Sequence, residues 1–270
     1  MTKLKPVTPL SIIASNLEKA LISIESKDLI DAETKELLKT TKELATRLEP
    51  YLIENATPEE NILRNLAKVT LEHDWRGSDS SQMNSLEPEM LSGHVEGMFL
   101  RQIVALSNCK NILEIGLFSG YSALAMAQAL PKEGRLVACE IDAHAAKFAR
   151  SQFAKSDHGS KIEVIVGDAS ETLKTLRQDK HVFDLVFLDA DKVGYKGYFE
   201  FLLENNMVKQ GGIFLVDNTL LQGEPYLNEE HRSQGGEAIR LFNEYLSREP
   251  RIEQVLIPIR DGVTLARLIA

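Results

Sequence analysis

The feature that most constrains the fold is the alternation of strand-like and helix-like segments after residue 110. The strand-like runs are short and apolar, and segments with helical spacing of apolar residues separate them. This order predicts an α/β domain with a parallel sheet covered by helices on both faces. The predicted strands are Ile112–Gly116, Leu136–Ile141, Ile162–Val166, Leu185–Leu188 and Ile213–Val216.

The C-terminal segment departs from this alternation. Two strand-like runs, Val255–Ile259 and Val263–Ile269, flank a turn that contains Asp261 and Gly262. An Asp-Gly pair between two strands is a strong hairpin signal. The last strand is therefore predicted to run antiparallel to the others.

The N-terminal part of the chain is predicted to be helical. Apolar residues recur at helical spacing from Ile13 to Ile24, and a second stripe from Leu37 to Leu48 is predicted to end at Pro50. A third helix is predicted to begin at Pro58, after a capping threonine. The polar stretch 76–82 is predicted to be a loop. We expect these helices to pack on the sheet domain or on a second subunit.

Composition excludes several classes of function. The net charge of −9 and the pI of about 5.3 argue against binding to nucleic acid or to an anionic membrane, which needs a basic face. Cys109 and Cys139 adjoin predicted strands, so we expect buried free thiols and a reducing compartment. Neither a signal-peptide pattern nor an apolar run of membrane-spanning length is evident. We therefore expect a cytoplasmic protein.

Four features near the ends of the first three strands predict an adenosine-type ligand. The loop after the first strand carries Gly116 and Gly120, which let a ligand approach the backbone closely. Glu140 ends the second strand, where an acid can accept hydrogen bonds from both ribose hydroxyls. Asp168 follows the third strand and could accept a hydrogen bond from an adenine amino group, whereas Glu114 could hold a charged amino group nearby.

Three of these features also have a structural explanation. The glycine loop could be a turn without a ligand, Glu140 a solvated carboxylate, and Asp168 the cap of the following helix. The glycine spacing G-x-x-x-G differs from the dinucleotide fingerprint G-x-G-x-x-G, and no Lys or Arg adjoins the loop. A pyrophosphate ligand is therefore disfavoured.

A second set of polar residues follows the fourth and fifth strands. Asp189 comes after one strand, and Asp217 and Asn218 come after the next. Two carboxylates and an amide oxygen form a hard donor set suited to Mg²⁺, Ca²⁺ or Mn²⁺, although Asp and Asn also favour plain turns. Lys192 lies three residues after Asp189, and an amine beside a cation can serve as a general base because like charge disfavours its ammonium form.

Four segments carry a resemblance to a known family: LEIGLFSGYS, FDLVFLDADK, GGIFLVDNTLLQG and PRIEQVLIPIRDGVTL. From about Met90 to its end the chain resembles the metal-dependent O-methyltransferases of the caffeoyl-coenzyme A type, distant relatives of catechol O-methyltransferase. The resemblance implies an α/β fold with a seven-stranded Rossmann-like methyltransferase sheet, an S-adenosylmethionine cofactor, a divalent cation and a homodimer. Residues 86–270 would form the methyltransferase domain, and residues 1–85 a helical extension acting as a lid, dimerisation element or substrate cap.

The resemblance also implies roles for single residues. Asp189, Asp217 and Asn218 match metal-ligand positions, and Lys192 matches the catalytic lysine, with Asp189 as its partner in catalysis. Asp191 and Gln222 match substrate-contacting positions. The positions that match the cofactor site, together with Asp168, are Ser92, Glu114, Gly116, Ser122, Glu140 and Ala169.

The stretches PYLIENATPEENILRNLAKVTLEHDW and EMLSGHVEGMFL resemble a narrower group, the cyanobacterial O-methyltransferases of mycosporine biosynthesis. This resemblance implies methylation of desmethyl-4-deoxygadusol, a compact cyclitol with neighbouring oxygens, to 4-deoxygadusol. Val193 and Gly194 stand where the plant enzymes often have Asp and Asn, which argues against a coenzyme A ester as substrate. The alternatives are a catechol or phenylpropanoid O-methyltransferase, a NAD-binding oxidoreductase, and a non-catalytic protein with the same sheet.

Overall fold

The structure, a computed structural model, describes residues 5–25, 31–75 and 86–269. Within these ranges, seven strands form one sheet: β1 (Asn111–Ile115), β2 (Arg135–Glu140), β3 (Ile162–Val166), β4 (Phe183–Leu188), β5 (Val208–Val216), β6 (Ile252–Ile257) and β7 (Val263–Leu268). Their order across the sheet is β3-β2-β1-β4-β5-β7-β6, and β7 alone runs in the direction opposite to the other six strands. The expected α/β Rossmann-like sheet with an antiparallel last strand is therefore confirmed.

Helices cover both faces of this sheet. They are α1 (Pro9–Glu25), α2 (Ala32–Glu54), α3 (Asn61–Glu72), α4 (Gly93–Ser107), α5 (Tyr121–Ala129), α6 (Ala143–Phe153), α7 (Ala169–Gln178), α8 (Tyr195–Glu204) and α9 (Gln234–Arg248). Helices α3 to α6 contribute to the apolar core on one face, and α7 to α9 to the core on the other. The central strands are buried on both sides, which explains their nearly continuous apolar sequences.

The carboxyl ends of β1, β2, β4 and β5 lie along one edge of the sheet. The chain turns away from this edge in opposite directions at β1 and β4, which are neighbours although they are not consecutive in sequence. Open α/β sheets bind ligands at such a switch point. The C-terminal hairpin reaches the same edge, because Thr219 and Leu220, which follow β5, donate backbone hydrogen bonds to Gly262 and Asp261.

Two predictions for the N-terminal helices are wrong. Helix α2 does not end at Pro50 but continues to Glu54, and the Asn55 N–H donates to the Tyr51 carbonyl at 3.1 Å to close its last turn. A proline so close to a helix end removes one backbone hydrogen bond without ending the helix. Pro58 does not begin the third helix either.

Helix α3 begins at Asn61, three residues after Pro58. The two acidic residues before α3 reach neighbouring helices. Glu59 accepts a hydrogen bond from the Tyr121 hydroxyl at 2.7 Å, and Glu60 pairs with Arg101 at 3.1 Å. These contacts hold the start of α3 against α4 and α5.

The predicted boundary between residues 85 and 86 and the predicted loop at 76–82 lie outside the described residues. Helices α1 and α2 pack against each other as an antiparallel pair, and α2 reaches the sheet domain through α4. Among the described residues, no helix is long and apolar enough to cross a membrane.

Candidate functional site

The loop after β1 needs glycine at two positions. Gly116 has φ +93°, and a side chain there would collide with the backbone carbonyl of Asp189. Gly120 has φ +84°, and a side chain there would collide with the Phe153 ring. Left-handed backbone without a Cβ keeps the loop tight against β4 and α6. A ligand can therefore approach the loop backbone along the carboxyl edge of the sheet.

Glu140, at the end of β2, holds this glycine loop in place. Its Oε2 accepts hydrogen bonds from the backbone N–H groups of Leu117 at 3.1 Å and Phe118 at 2.7 Å. Its Oε1 accepts from the Asp142 N–H at 2.8 Å. Burial raises the pKa of Glu140, and the three backbone donors oppose that shift. The carboxylate thus fixes the loop as well as standing at the predicted ribose position.

Glu114 is fully buried, and only one of its two carboxylate oxygens has a hydrogen-bond partner. Its Oε1 accepts from the Ser122 hydroxyl, whereas its Oε2 is buried without a partner. Desolvation raises the pKa of Glu114 well above its usual range. A buried carboxylate oxygen without a donor is costly. This oxygen could therefore accept a hydrogen bond from a donor or cationic group of a ligand.

The structure places the other predicted cofactor residues at helix starts. Asp168 caps α7, because its Oδ1 accepts from the Glu171 N–H at 3.1 Å, as the structural alternative predicts. Ala169 is the first residue of α7. Ser92 is buried immediately before α4.

Asp189, Asp217 and Asn218 lie together where β4 and β5 end side by side. Asp217 is 4% exposed, and its Oδ1 accepts from the Asn218 N–H at 2.6 Å. Burial and the negative charge of Asp189 raise the pKa of Asp217 to about 7. Asn218 has φ +56°, a left-handed conformation that asparagine tolerates better than most residues.

Lys192 points back to the end of β4. Its Nζ donates to Asp189 Oδ1 at 3.0 Å and to the Tyr195 hydroxyl at 2.7 Å. Tyr195, which is fully buried, donates in turn to the Asp217 carbonyl at 3.1 Å. It also fixes the position of the Lys192 amine between two strand ends.

Asp191 and Gln222, the predicted substrate contacts, are held by local bonds. Asp191 accepts from the Gly194 N–H at 2.8 Å and from the Tyr198 hydroxyl at 2.7 Å, which ties it to the start of α8. The Gln222 backbone N–H donates to Asp261 Oδ1 at 2.6 Å, and its φ is +58°. Both residues lie in the loops that follow the strands of the predicted metal ligands.

Sequence reasoning missed three charged residues beside this site: Glu96 on α4, Arg260 and Asp261. Glu96 is 1% exposed, interacts with Asp217, and leaves Oε1 without a partner. Burial raises the pKa of Glu96 well above its usual range and that of Asp261 to about 6. The sequence signal for Glu96 was its place on the same face of α4 as Leu100 and Val104, where an apolar residue is expected.

We call Glu96, Asp189, Asp217 and Asp261 the acid cluster. Lys192 and Arg260 act on it as cations. Fully ionised, the four carboxylates would exceed the two cations by two negative charges. Burial and the like charge of Asp189 raise the pKa values of Glu96, Asp217 and Asp261, so the cluster retains protons that a bound cation could replace. Among the described residues, no three His, Cys, Asp or Glu side chains form a ready-made metal site. The predicted set of two carboxylates and one amide would leave its other positions to water and substrate.

Comparison with known proteins identifies the class of this molecule. The O-methyltransferase family model matches residues 54–269. A tapetum-specific methyltransferase of Arabidopsis thaliana is 37% identical over 227 residues, covering 82% of this chain and 92% of that protein. The caffeoyl-CoA O-methyltransferase of Petroselinum crispum is 33% identical over 231 residues, covering 82% and 90%. The structure of a Podospora anserina methyltransferase bound to S-adenosylhomocysteine matches with a TM-score of 0.73 and 30% identity, covering 84% and 96%.

The fold and these relatives define an S-adenosylmethionine-dependent methyltransferase. More narrowly, the chain belongs to the O-methyltransferase family whose members include the caffeoyl-CoA enzymes. The predictions of the enzyme class, of S-adenosylmethionine as cofactor and of the fold are thereby confirmed, and the NAD-binding alternative loses its support.

Proposed function

We propose that this enzyme uses a divalent cation, most simply Mg²⁺, to methylate one of two adjacent oxygens on a compact chelating substrate. Asp189, Asp217 and Asn218 would hold the cation. The observation that carries this proposal is the buried acid cluster, whose acids hinder one another's ionisation and which a divalent cation would allow to ionise together. A cation so placed would lower the pKa of a bound hydroxyl and favour an oxyanion near neutral pH.

The residues around the cluster would carry the proton transfer. Lys192 lies 3.0 Å from Asp189 and 2.7 Å from the Tyr195 hydroxyl, so its amine has a fixed position at the edge of the cluster. In this proposal the Lys192 amine accepts the substrate proton, and Asp189 pairs with the resulting ammonium. Asp191 and Gln222 would contact the substrate from the adjoining loops.

The cofactor would lie along the glycine loop. Glu114, through its unpartnered Oε2, would hold the amino group of S-adenosylmethionine, with Ser122 fixing its other oxygen. Glu140 would hold the ribose, and Asp168 and Ala169 the adenine end. Gly116 and Ser92 would allow the close approach of the sulfonium portion. In this arrangement the methyl group faces the acid cluster.

A test of the cofactor site is the replacement Glu140→Gln. An amide cannot accept at both positions, so one of the three backbone donors would face an N–H group. We expect binding of S-adenosylhomocysteine, measured by calorimetry, to weaken by about tenfold. Glu163→Gln, an exposed acid on neighbouring β3, is the matched control and should bind normally. Equal affinity of both variants would contradict the assignment.

The proposed substrate is desmethyl-4-deoxygadusol, a cyclitol with neighbouring oxygens, with 4-deoxygadusol as product. Support comes from the resemblance to the mycosporine enzymes and from the compact chelating geometry that the acid cluster suits. A catechol or phenylpropanoid is the second candidate, because a similar protein is named as a caffeoyl-CoA O-methyltransferase. Both candidates present two adjacent oxygens to the same residues.

The deciding experiment is formation of S-adenosylhomocysteine from each candidate substrate with Mg²⁺ and then with excess EDTA. We expect turnover of the cyclitol that EDTA abolishes and added Mg²⁺ restores. If turnover continues with excess EDTA, the proposed role of the cation is wrong. If only catechols are methylated, the substrate is a catechol and not the cyclitol.

The helical extension, residues 1–85, would cap the substrate side and contribute to a homodimer in the cytoplasm. Several apolar side chains of α1 and α2 are exposed, among them Ile22, Leu37 and Leu44, and burying them is a reason to dimerise. Cys109 and Cys139 are both free and buried, as a reducing compartment permits.

A further inference from the structure

Arg260 occupies an unfavourable backbone position at the turn between β6 and β7. Its φ is +49°, in the left-handed region that is sterically unfavourable for a residue with a Cβ. Glycine would occupy this position without strain. The side chain of Arg260 must therefore contribute something at this turn that a glycine would not.

The guanidinium of Arg260 joins three segments of the chain. It donates to the Glu49 carboxylate on α2 at 3.2 Å and to the Leu91 carbonyl at 3.1 Å, and it lies 3.7 Å from Glu96 on α4. The side chain is about one-fifth exposed, so it lies at the rim of the site. The N–H groups of a single guanidinium therefore contact three segments that are distant in sequence.

These contacts lie beside the acid cluster, on the side of the loop that carries Gln222, which we call the substrate end of the site. Glu96 belongs to the acid cluster, and the turn of Arg260 is bonded to the Gln222 loop through Asp261. A Cβ built on Gly93 would lie only 2.6 Å from Arg260 Nη1. The guanidinium therefore fills the gap between the hairpin turn and the start of α4.

We propose that Arg260 is a specificity-determining residue, which closes the substrate end against bulky acyl thioesters and leaves room for compact chelating substrates. This inference rests on the proposed function, since it concerns the substrates of the same site. Arg260 fills the gap beside Gly93, and its bond to Glu49 ties α2 to the hairpin turn. A substrate that extended from the acid cluster into this gap would have to displace both contacts.

The test replaces Arg260 by glycine, which relieves the backbone strain and so should not impair folding. Binding of caffeoyl-coenzyme A and of catechol would be measured by calorimetry with S-adenosylhomocysteine and Mg²⁺ present. We expect the affinity for the thioester to rise by about tenfold and that for catechol to fall severalfold, because the cap over it loosens. Arg260→Lys keeps the positive charge but lacks the several donors of the guanidinium. Its ratio of thioester affinity to catechol affinity should lie between those of the wild type and Arg260→Gly.

Lys180→Gly is the matched control. Lys180 is exposed and also has a positive φ, +60°, so its replacement relieves the same kind of strain away from the site. It should leave the affinity ratio unchanged. If Arg260→Gly binds the thioester no better than the wild type does, the specificity role is wrong. Formation of S-adenosylhomocysteine by the wild-type enzyme reports separately on the proposed function.

Discussion

Replacing Asp217 by alanine is expected to lower kcat/KM for methyl transfer by about a thousandfold, the loss typical of removing a main electrostatic contact to the reacting group. Asp217 is buried between Asp189 and Glu96 and accepts from the Asn218 N–H. Removing the Asp217 carboxylate eliminates one proposed metal ligand. It also removes the hydrogen bond to the backbone of Asn218, the neighbouring proposed ligand. Steady-state kinetics with saturating Mg²⁺ would measure the effect.

Asp217→Asn separates this loss from unfolding. The folded-state pKa of Asp217, about 7, lies above its unfolded value. The folded protein without metal therefore binds more protons than the unfolded one, and its stability falls as pH rises toward 7 through this group. The asparagine variant should lose less stability between about pH 5 and pH 8 in metal-free thermal unfolding. It should also gain less from added Mg²⁺ than the wild type. Full activity of either variant would refute the proposed ligand set.

The sheet edge was predictable because its signals are local. Each strand is a short apolar run, and the polar residue that decides its chemistry comes directly after it, as with Asp189 and Asp217. The parallel arrangement then forces those strand ends onto one edge. Gly116 was predictable for the same reason, since the loop that follows a strand shows its glycines in sequence.

The remaining features depend on contacts between distant segments. Arg260 and Glu49 are 211 residues apart, and no local pattern relates them. Glu96 reaches the acid cluster because α4 packs beside the sheet edge, which periodicity alone does not show. The boundary at Pro50 was wrong because a proline near a helix end removes one backbone bond without ending the helix. The boundary at Pro58 was wrong because Glu59 and Glu60 contact Tyr121 and Arg101 and α3 begins only at Asn61. The sequence thus predicts the carboxyl edge of the sheet and the acids that follow its strands. The residues that approach those acids from other elements, such as Glu96 and Arg260, become evident only from the packing of the folded chain.

Lys192→Met is expected to lower kcat by about a thousandfold, within the range attributed to a positioned general base. The Lys192 amine is held by Asp189 and the Tyr195 hydroxyl, and methionine keeps the length of the side chain without an acceptor. Binding of S-adenosylhomocysteine should change little, because the cofactor residues lie at other strand ends. Lys196→Met, which removes an exposed lysine of α8, is the matched control and should be fully active.

Two further variants distinguish a base from a positive charge that merely orients the substrate. Lys192→Arg keeps the charge, but its guanidinium does not give up a proton in proteins, so it should not restore kcat. Tyr195→Phe keeps Lys192 and removes only the hydroxyl that positions it, so a loss of about tenfold is expected, with a changed pH profile. If Lys192→Arg retained near wild-type activity, Lys192 would act through its charge, and the substrate proton would leave by another route.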